Sequence, residues 1–334
     1  MSILEYPFVV RALLGALFTG LAAPAVGTYL VQRRLALMGD GIGHIAVTGV
    51  ALGLLTGTSP TITAVIVAVV GAVAIEVIRE SGRTSGDVAL ALLFYGGIAG
   101  GVLITGLAGQ SAATLNTYLF GSITTISPAD VWVTVVLAVV VVVVGVGLSP
   151  QLFAVAQDQE FAQVAGLNIR VYNLLVSVMA AVTVTVAMRT VGLLLVSALM
   201  VVPVATSQQV TRTFRSTLYA AMGLGMLASL GGVAVASYVD VAPGATIVLL
   251  ALAGFATAYP VGVVLRRRQR LTSPFIEPDE EMPATGAGHT VSCDDHGHEH
   301  GDACGHPAVP HGDHVDYVHD GHRHAVHGSH YDEH

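Results

Sequence analysis

Two side chains draw attention by type and spacing. Asp40 and His44 lie four residues apart in Gly39-Asp40-Gly41-Ile42-Gly43-His44, at the start of an apolar stretch. On a helix, positions i and i+4 share one face, one turn apart. A carboxylate oxygen and an imidazole nitrogen so placed can grip one divalent cation of the zinc or manganese kind. His44 is also the lone histidine among residues 1–276. An ionisable residue in a long apolar segment usually faces the bundle interior. The plainer reading has Asp40 capping the helix and His44 bonded to a carbonyl. The three glycines do not form a dinucleotide fingerprint, because the spacing is wrong and no strand–turn–helix unit surrounds them.

A denser set of candidate ligands crowds the C-terminal end. Cys293, His296, His298, His300, Cys304 and His306 fall within 14 residues, and His311, His314, His319, His322, His324, His327, His330 and His334 follow. Imidazole and thiolate suit Zn(II), Ni(II) and Cu, and His-rich tracts commonly bind metal. The spacing is loose and repetitive, unlike a closed zinc-finger set. It predicts a flexible chelator of several ions, mostly disordered, because the segment has too few apolar residues to fold alone. The alternative is a solvated tail with incidental affinity. Both cysteines of the chain lie here, which excludes a disulfide framework for the rest.

A third candidate is the polar stretch 149–168. Residues 154–165 are good helix formers, and Gly166 is a natural helix stop. A short amphipathic helix on one membrane face needs a surface to touch. With no positive charge between Gln151 and Asn168, anionic lipid is the weaker candidate and a groove on a cytosolic subunit the stronger.

The elements that must position these groups are legible from composition. Of 334 residues, 53% are hydrophobic and 11% charged, against about 25% charged in an ordinary soluble domain. That excludes a soluble enzyme and a nucleic-acid binder. Nine apolar segments follow one another at roughly 7–31, 42–57, 60–78, 88–108, 131–148, 171–188, 190–210, 217–238 and 244–265. Most reach the ~20 residues that cross a bilayer as a helix. Segment 42–57 is short, so eight spans with one broken helix is the other possibility. The first segment reads as a retained span, because nothing before Arg11 is positive. Residues 1–276 carry 13 arginines and nine acids, whereas residues 277–334 carry one arginine, 13 acids and 13 of the 14 histidines. This sets a membrane domain, 1–270, apart from an acidic tail, 271–334.

With nine spans and the N-terminus outside, Arg33, Arg34, Arg79, Arg83, Arg170, Arg212, Arg215, Arg266, Arg267, Arg268 and Arg270 all fall on inner loops. That is the positive-inside pattern, and it places the tail in the cytoplasm. Glycines at four-residue spacing (Gly49, Gly53 and Gly57; Gly96 and Gly100; Gly97 and Gly101) predict close helix packing. Pro203 predicts a kink. All 14 basic residues are arginine. A Walker A loop needs lysine, so any ATPase driving this chain is a separate subunit.

The same residues resemble a known family, the permease subunits of zinc/manganese ABC importers, over nearly all of residues 5–268. The resemblance rests on several stretches. They are Tyr6-Pro7-Phe8 with Arg11-Ala12-Leu13; Arg33-Arg34-Leu35-Ala36-Leu37-Met38-Gly39-Asp40; His44-Ile45-Ala46; Gly49-Val50-Ala51-Leu52-Gly53; and Leu193 to Pro203. Thr48 stands where the family usually has proline. The resemblance implies that Asp158, Glu160, Ala162 and Gly166 belong to a loop coupling the permease to its ATPase. It implies that Asp40 and His44 lie on the translocation path. It also implies a second permease copy, two cytosolic ATP-binding subunits and an extracytoplasmic metal-binding protein.

The sequence therefore predicts an all-α polytopic permease of the plasma membrane, with eight or nine spans and a cytoplasmic tail. It would import a divalent transition metal by alternating access. Zn(2+) is favoured over Mn(2+) because the tail offers nitrogen and sulfur. No enzyme activity, resident cofactor or nucleic-acid partner is expected, since ATP is used by the partner subunit. The rival is a stand-alone secondary metal transporter with a metal-sensing tail. It would need several ionisable ligands on neighbouring spans, yet besides Asp40 and His44 the only acid well inside a segment is Glu76. A membrane regulator using the tail alone leaves nine spans unexplained.

Overall fold

The computed structural model describes residues 6–80, 86–109, 118–121, 126–190, 192–239, 241–272, 290–292, 305–311, 314–319, 322–327 and 330–333. In chain order its helices are α1 (Pro7–Gln32), α2 (Met38–Thr56), α3 (Pro60–Glu80), α4 (Gly86–Leu107), α5 (Pro128–Gly147), α6 (Ser149–Gln157), α7 (Gln159–Val164), α8 (Ile169–Thr190), α9 (Leu193–Val210), α10 (Phe214–Val239) and α11 (Pro243–Thr272).

Local chemistry explains where these helices begin and end. Proline opens α1, α3, α5 and α11, where its missing N–H costs nothing. At α5 a capping box adds to this. The Asp130 N–H donates to Ser127 Oγ at 3.2 Å, and the Ser127 N–H donates to Asp130 Oδ2 at 3.0 Å. Gly57 closes α2 in the left-handed region, φ +67°, which favours a residue without Cβ.

Among the described residues, eight helices are long and apolar enough to cross a membrane: α1, α2, α3, α4, α5, α8, α10 and α11. The ninth apolar segment is α9, which contains Pro203. α9 as a whole, Leu193–Val210, is 18 residues long, one fewer than the helix formed by the 42–57 segment. The latter gains a turn at its start and becomes the 19-residue α2.

The core centres on α1, whose Ala16, Ala23, Val26 and Tyr29 are fully buried. Small residues set its approach to α10. A Cβ built on Gly20 would stand 2.7 Å from the Gly225 carbonyl oxygen. Side chains that face lipid stay apolar, as with Trp132, Leu92 and Val70, all more than 60% exposed.

Contacts divide the chain into two units, Met1–Leu271 and Thr272–His334. In the second, the described residues form strands β1 (Thr290–Ser292), β2 (Ala308–His311), β3 (His314–His319), β4 (His322–His327) and β5 (His330–Glu333). They pair antiparallel in the order β1-β5-β4-β3-β2. The sequence predicts little regular structure here. The strands gather where Val309, Val315, Tyr317, Val318, Val326 and Tyr331 supply β-formers. The Gly-Asp, Asp-Gly and Gly-Ser dipeptides between them are hairpin-favouring sequences.

Candidate metal site and inner face

α2 carries both pathway candidates. Asp40 sits in its first turn and His44 one turn on, so the spacing puts them side by side. Asp40 Oδ1 and His44 Nε2 stand 4.0 Å apart, beyond hydrogen-bond range. Two ligands of one tetrahedral ion at ~2.1 Å each stand about 3.4 Å apart, so a small side-chain rotation closes the pair on a cation. Leu37, not Asp40, is the N-cap, and no side chain caps the helix. That disfavours the capping reading of Asp40.

Other elements shape the pair. Ser197 of α9 donates from Oγ to Asp40 Oδ1 at 3.4 Å. The Phe94 ring of α4 meets the His44 ring edge-on, with centroids 4.3 Å apart. The His44 side chain is 10% exposed and that of Asp40 30%, so the carboxylate is the more accessible end. Among the residues whose side chains are described, no group of three or more His, Cys, Asp or Glu gathers to hold a metal ion. The site in the bundle is a two-ligand pair with a hydroxyl beside it.

Backbone contact fixes α2 in place. A Cβ on Gly97 of α4 would stand 2.6 Å from the His44 carbonyl carbon, so the two helices touch main chain to main chain at the site. Thr48, where the family resemblance predicts proline, donates from Oγ1 to the Gly97 carbonyl at 2.7 Å. A hydrogen bond between helices thus stands where a bend would be, and α2 runs unbroken from Met38 to Thr56. Gly49 and Gly53 pack against α3, as the glycine spacing predicts.

A buried ionic node lies where α1, α3 and α8 meet. Glu76 is 1% exposed. Arg33 Nη2 reaches its Oε1 at 3.4 Å, and Arg79 Nη1 reaches its Oε2 at 2.9 Å. Ser177 of α8 donates to the same Oε2 at 3.1 Å. Burial draws the Arg33 pKa down, and the Glu76 carboxylate counters by stabilising the charge. Close by, Arg170 Nε reaches Glu80 Oε2 at 2.6 Å. A cavity of about 100 Å3, lined by Arg34, Leu35, Met38, Ile75, Arg79 and Leu90, opens between the start of α2 and the end of α3. In sequence Glu76 stands out as a lone acid, whereas Arg33 and Arg79 read only as topology markers. Their pairing needed the fold. Ser197 and Phe94 had no signal in sequence.

The 149–168 stretch is two helices and not the single one its composition predicts. The break falls at Asp158, which ends α6 and caps α7, its Oδ1 accepting from the Phe161 N–H at 2.9 Å. Glu160 is exposed in the first turn of α7, Ala162 is fully buried beneath it, and Gly166 follows at φ +83°. Phe161 and Val164 are 66% and 89% exposed, a small apolar face on an otherwise polar turn. A side-chain hydrogen bond between Gln32 and Gln157 ties the end of α6 to the end of α1.

In the tail, Cys293, His296, His298, His300, Cys304 and His334 lie outside the described residues. His306 precedes β2. His311 ends β2, His314 and His319 bound β3, His322, His324 and His327 lie on β4, and His330 opens β5.

This bundle, with an acid–histidine pair on its second helix and a polar helical loop between its fifth and eighth, is that of a transporter's membrane subunit. The ABC 3 transport family matches residues 5–261, and the chain belongs to that family. This bears out the resemblance drawn from residues 5–268. The manganese transport system membrane protein MntC of Halalkalibacterium halodurans is 32% identical over 259 residues, covering 77% of this chain and 88% of the relative. The high-affinity zinc uptake system membrane protein ZnuB of Haemophilus influenzae is 28% identical over 260 residues, 78% of this chain and 97% of the relative. Among solved structures, PsaBC from Streptococcus pneumoniae in complex with Fab superposes with a TM-score of 0.72 at 27% identity, covering 80% of this chain and 97% of that one.

Proposed function

We propose that this chain is the membrane-spanning permease of an importer for a divalent transition metal, with zinc the preferred ion. The observation that carries this reading is the Asp40–His44 pair, 4.0 Å apart on α2, in a chain of the ABC 3 transport family. One oxygen and one nitrogen ligand bind a borderline cation without trapping it, as a path requires. Ser197 keeps the carboxylate turned toward His44. Oxygen from Asp40 and Ser197 also suits manganese, and a relative bearing manganese in its name favours that second reading.

Energy comes from elsewhere. With no lysine in the chain, ATP is bound and hydrolysed by cytosolic partner subunits. Asp158, Glu160, Ala162 and Gly166 build the α7 element that meets them, with Phe161 as its exposed apolar contact. A second permease copy completes the path, and an extracytoplasmic binding protein delivers the ion. The arginine distribution supports a plasma-membrane protein with its tail in the cytoplasm, where the histidines and cysteines of 289–334 receive entering metal.

The experiment is metal accumulation in a zinc- and manganese-starved host. Asp40→Asn and His44→Ala should each abolish uptake while the ATPase still co-purifies. Normal uptake by either variant removes this pair from the path.

A further inference from the structure

Two adjacent arginines end α1, and the chain sends them different ways. The Arg34 N–H donates to the Val31 carbonyl at 3.0 Å, and the Leu35 N–H donates to the Leu30 carbonyl at 2.8 Å. That pair of bonds is the Schellman end of a helix, whose left-handed residue is usually glycine. Here it is Arg34, at φ +59°, the one residue other than glycine with a positive φ among the described residues. A Cβ in that region crowds the following carbonyl oxygen, so the turn carries a steric cost that glycine would not. It also parts the two guanidiniums. Arg33 is buried against Glu76 at 3.4 Å, while Arg34 is exposed and lines the cavity between the start of α2 and the end of α3.

Charge around this cavity is not balanced. Glu76 serves both Arg33 and Arg79, and Arg33 Nη1 still has no partner among the described residues. Nothing among the described residues pairs with the Arg34 guanidinium. Glu80 is taken by Arg170, and Asp40 is turned to His44 and Ser197. Three arginines thus stand against one carboxylate, and two of them, Arg34 and Arg79, line the cavity. No side chain caps α2. The N–H groups of its first turn, at the wall formed by Leu37 and Met38, therefore add the positive end of a helix dipole. The remaining wall is apolar, with Ile75 and Leu90. On the same two helices Val77, Ile78 and Val88 are exposed, a surface suited to acyl chains.

We propose that this cavity binds the phosphate of an anionic phospholipid from the inner leaflet. Basic pockets between membrane helices at the cytoplasmic face take acidic headgroups, and a guanidinium fork fits two phosphate oxygens at once. At about 100 Å3 the cavity has several times the ~10–15 Å3 that one water needs. Cations beside an apolar wall match a headgroup that carries chains, whereas a free phosphate ion needs only the cations. Arg34 sets the site, and its left-handed turn is the strain accepted to aim it there. The inference rests on the permease reading for its membrane and orientation. A permease that imports metal yet takes no anionic lipid would sink this site and leave that reading standing.

The test is lipid binding to the full-length permease, free and in complex with its ATPase. Bound lipid is counted by mass spectrometry of the intact protein. The thermal unfolding midpoint is read with phosphatidylglycerol, phosphatidylcholine or inorganic phosphate added. Phosphatidylglycerol should bind and raise the midpoint, and phosphatidylcholine should not. Arg34→Gly should bind phosphatidylglycerol about fivefold more weakly, the share of one arginine at a membrane surface. Its midpoint without lipid should be no lower than the parent's, because glycine relieves the turn. Arg34→Lys, which keeps the charge, should keep most of the binding. Equal binding by the parent and Arg34→Gly would place the lipid elsewhere. A lower lipid-free midpoint for Arg34→Gly would make Arg34 a structural residue. Protection by inorganic phosphate at concentrations as low as the lipid's would make the ligand a free anion. Lipid binding that vanishes once the ATPase is attached would give the cavity to an acidic face of that subunit. Any of these four results overturns the lipid site.

Discussion

At the residue scale, the proposed path turns on how Asp40 and His44 are aimed. Ser197 is the residue that aims the carboxylate, through its 3.4 Å hydrogen bond. Loss of such a supporting partner typically costs 10- to 100-fold in metal affinity or activity. Ser197→Ala should accordingly raise the metal concentration for half-maximal uptake about tenfold, with the maximal rate less affected. An unchanged concentration dependence would make Ser197 a packing residue. The pair itself was legible in sequence because four-residue spacing on a helix is a strong geometric statement. Ser197 was not, because it stands 157 residues from Asp40 and belongs to a helix whose packing partner no spacing rule names.

At the scale of elements, α3 holds the end of α1 and Ser177 of α8 through one carboxylate, Glu76. Glu76 compensates two arginines, of which Arg33 is 4% exposed. Breaking a buried ion pair by removing one partner costs about 3–5 kcal/mol, because the other charge stays buried. Glu76→Gln should therefore lower the thermal unfolding midpoint of the purified permease. Adding Arg33→Met in the same chain should recover part of the loss, as one unpaired charge goes with it. A midpoint unmoved by Glu76→Gln would show that water already serves the arginines.

The α2–α4 contact makes a second prediction at this scale. A Cβ at Gly97 meets backbone at 2.6 Å, so Gly97→Ala must push the helices apart, at a cost of about 1–3 kcal/mol. Calorimetry on the purified variant reads it, and full stability would mean that the helices separate freely. The glycine spacing foretold this packing but not its partner. The break at Asp158 was hidden for another reason. Nothing between Ala154 and Ala165 is a helix breaker, and a side chain that caps one helix can end another without any glycine or proline. On α7, Phe161→Asp should reduce recovery of the ATPase with the permease severalfold while leaving the fold intact. Unchanged recovery would place the coupling contact elsewhere.

The whole molecule is a membrane bundle joined to a ligand-rich tail, two units that contacts divide at Leu271. Apolar segment length gave the bundle almost completely, since each of the nine segments became a helix. What it misjudged was the start of the second helix, which begins at Met38. Arginine counting over nine spans predicts a cytoplasmic tail, which a protease added to sealed inside-out vesicles should then remove. Deleting residues 289–334 should leave uptake alive and change only its dependence on internal zinc, if the tail receives metal after passage. Zinc should also leave the tail as pH falls below about 6.5, where imidazole takes up protons.

The central claim is that metal crosses at Asp40 and His44, and uptake in a metal-starved host tests it most directly. Cells carrying the complete transporter with wild-type permease should accumulate zinc, whereas Asp40→Asn and His44→Ala cells, with permease at equal abundance and the ATPase still bound, should accumulate none above background. Accumulation at the wild-type rate in either variant would contradict the account.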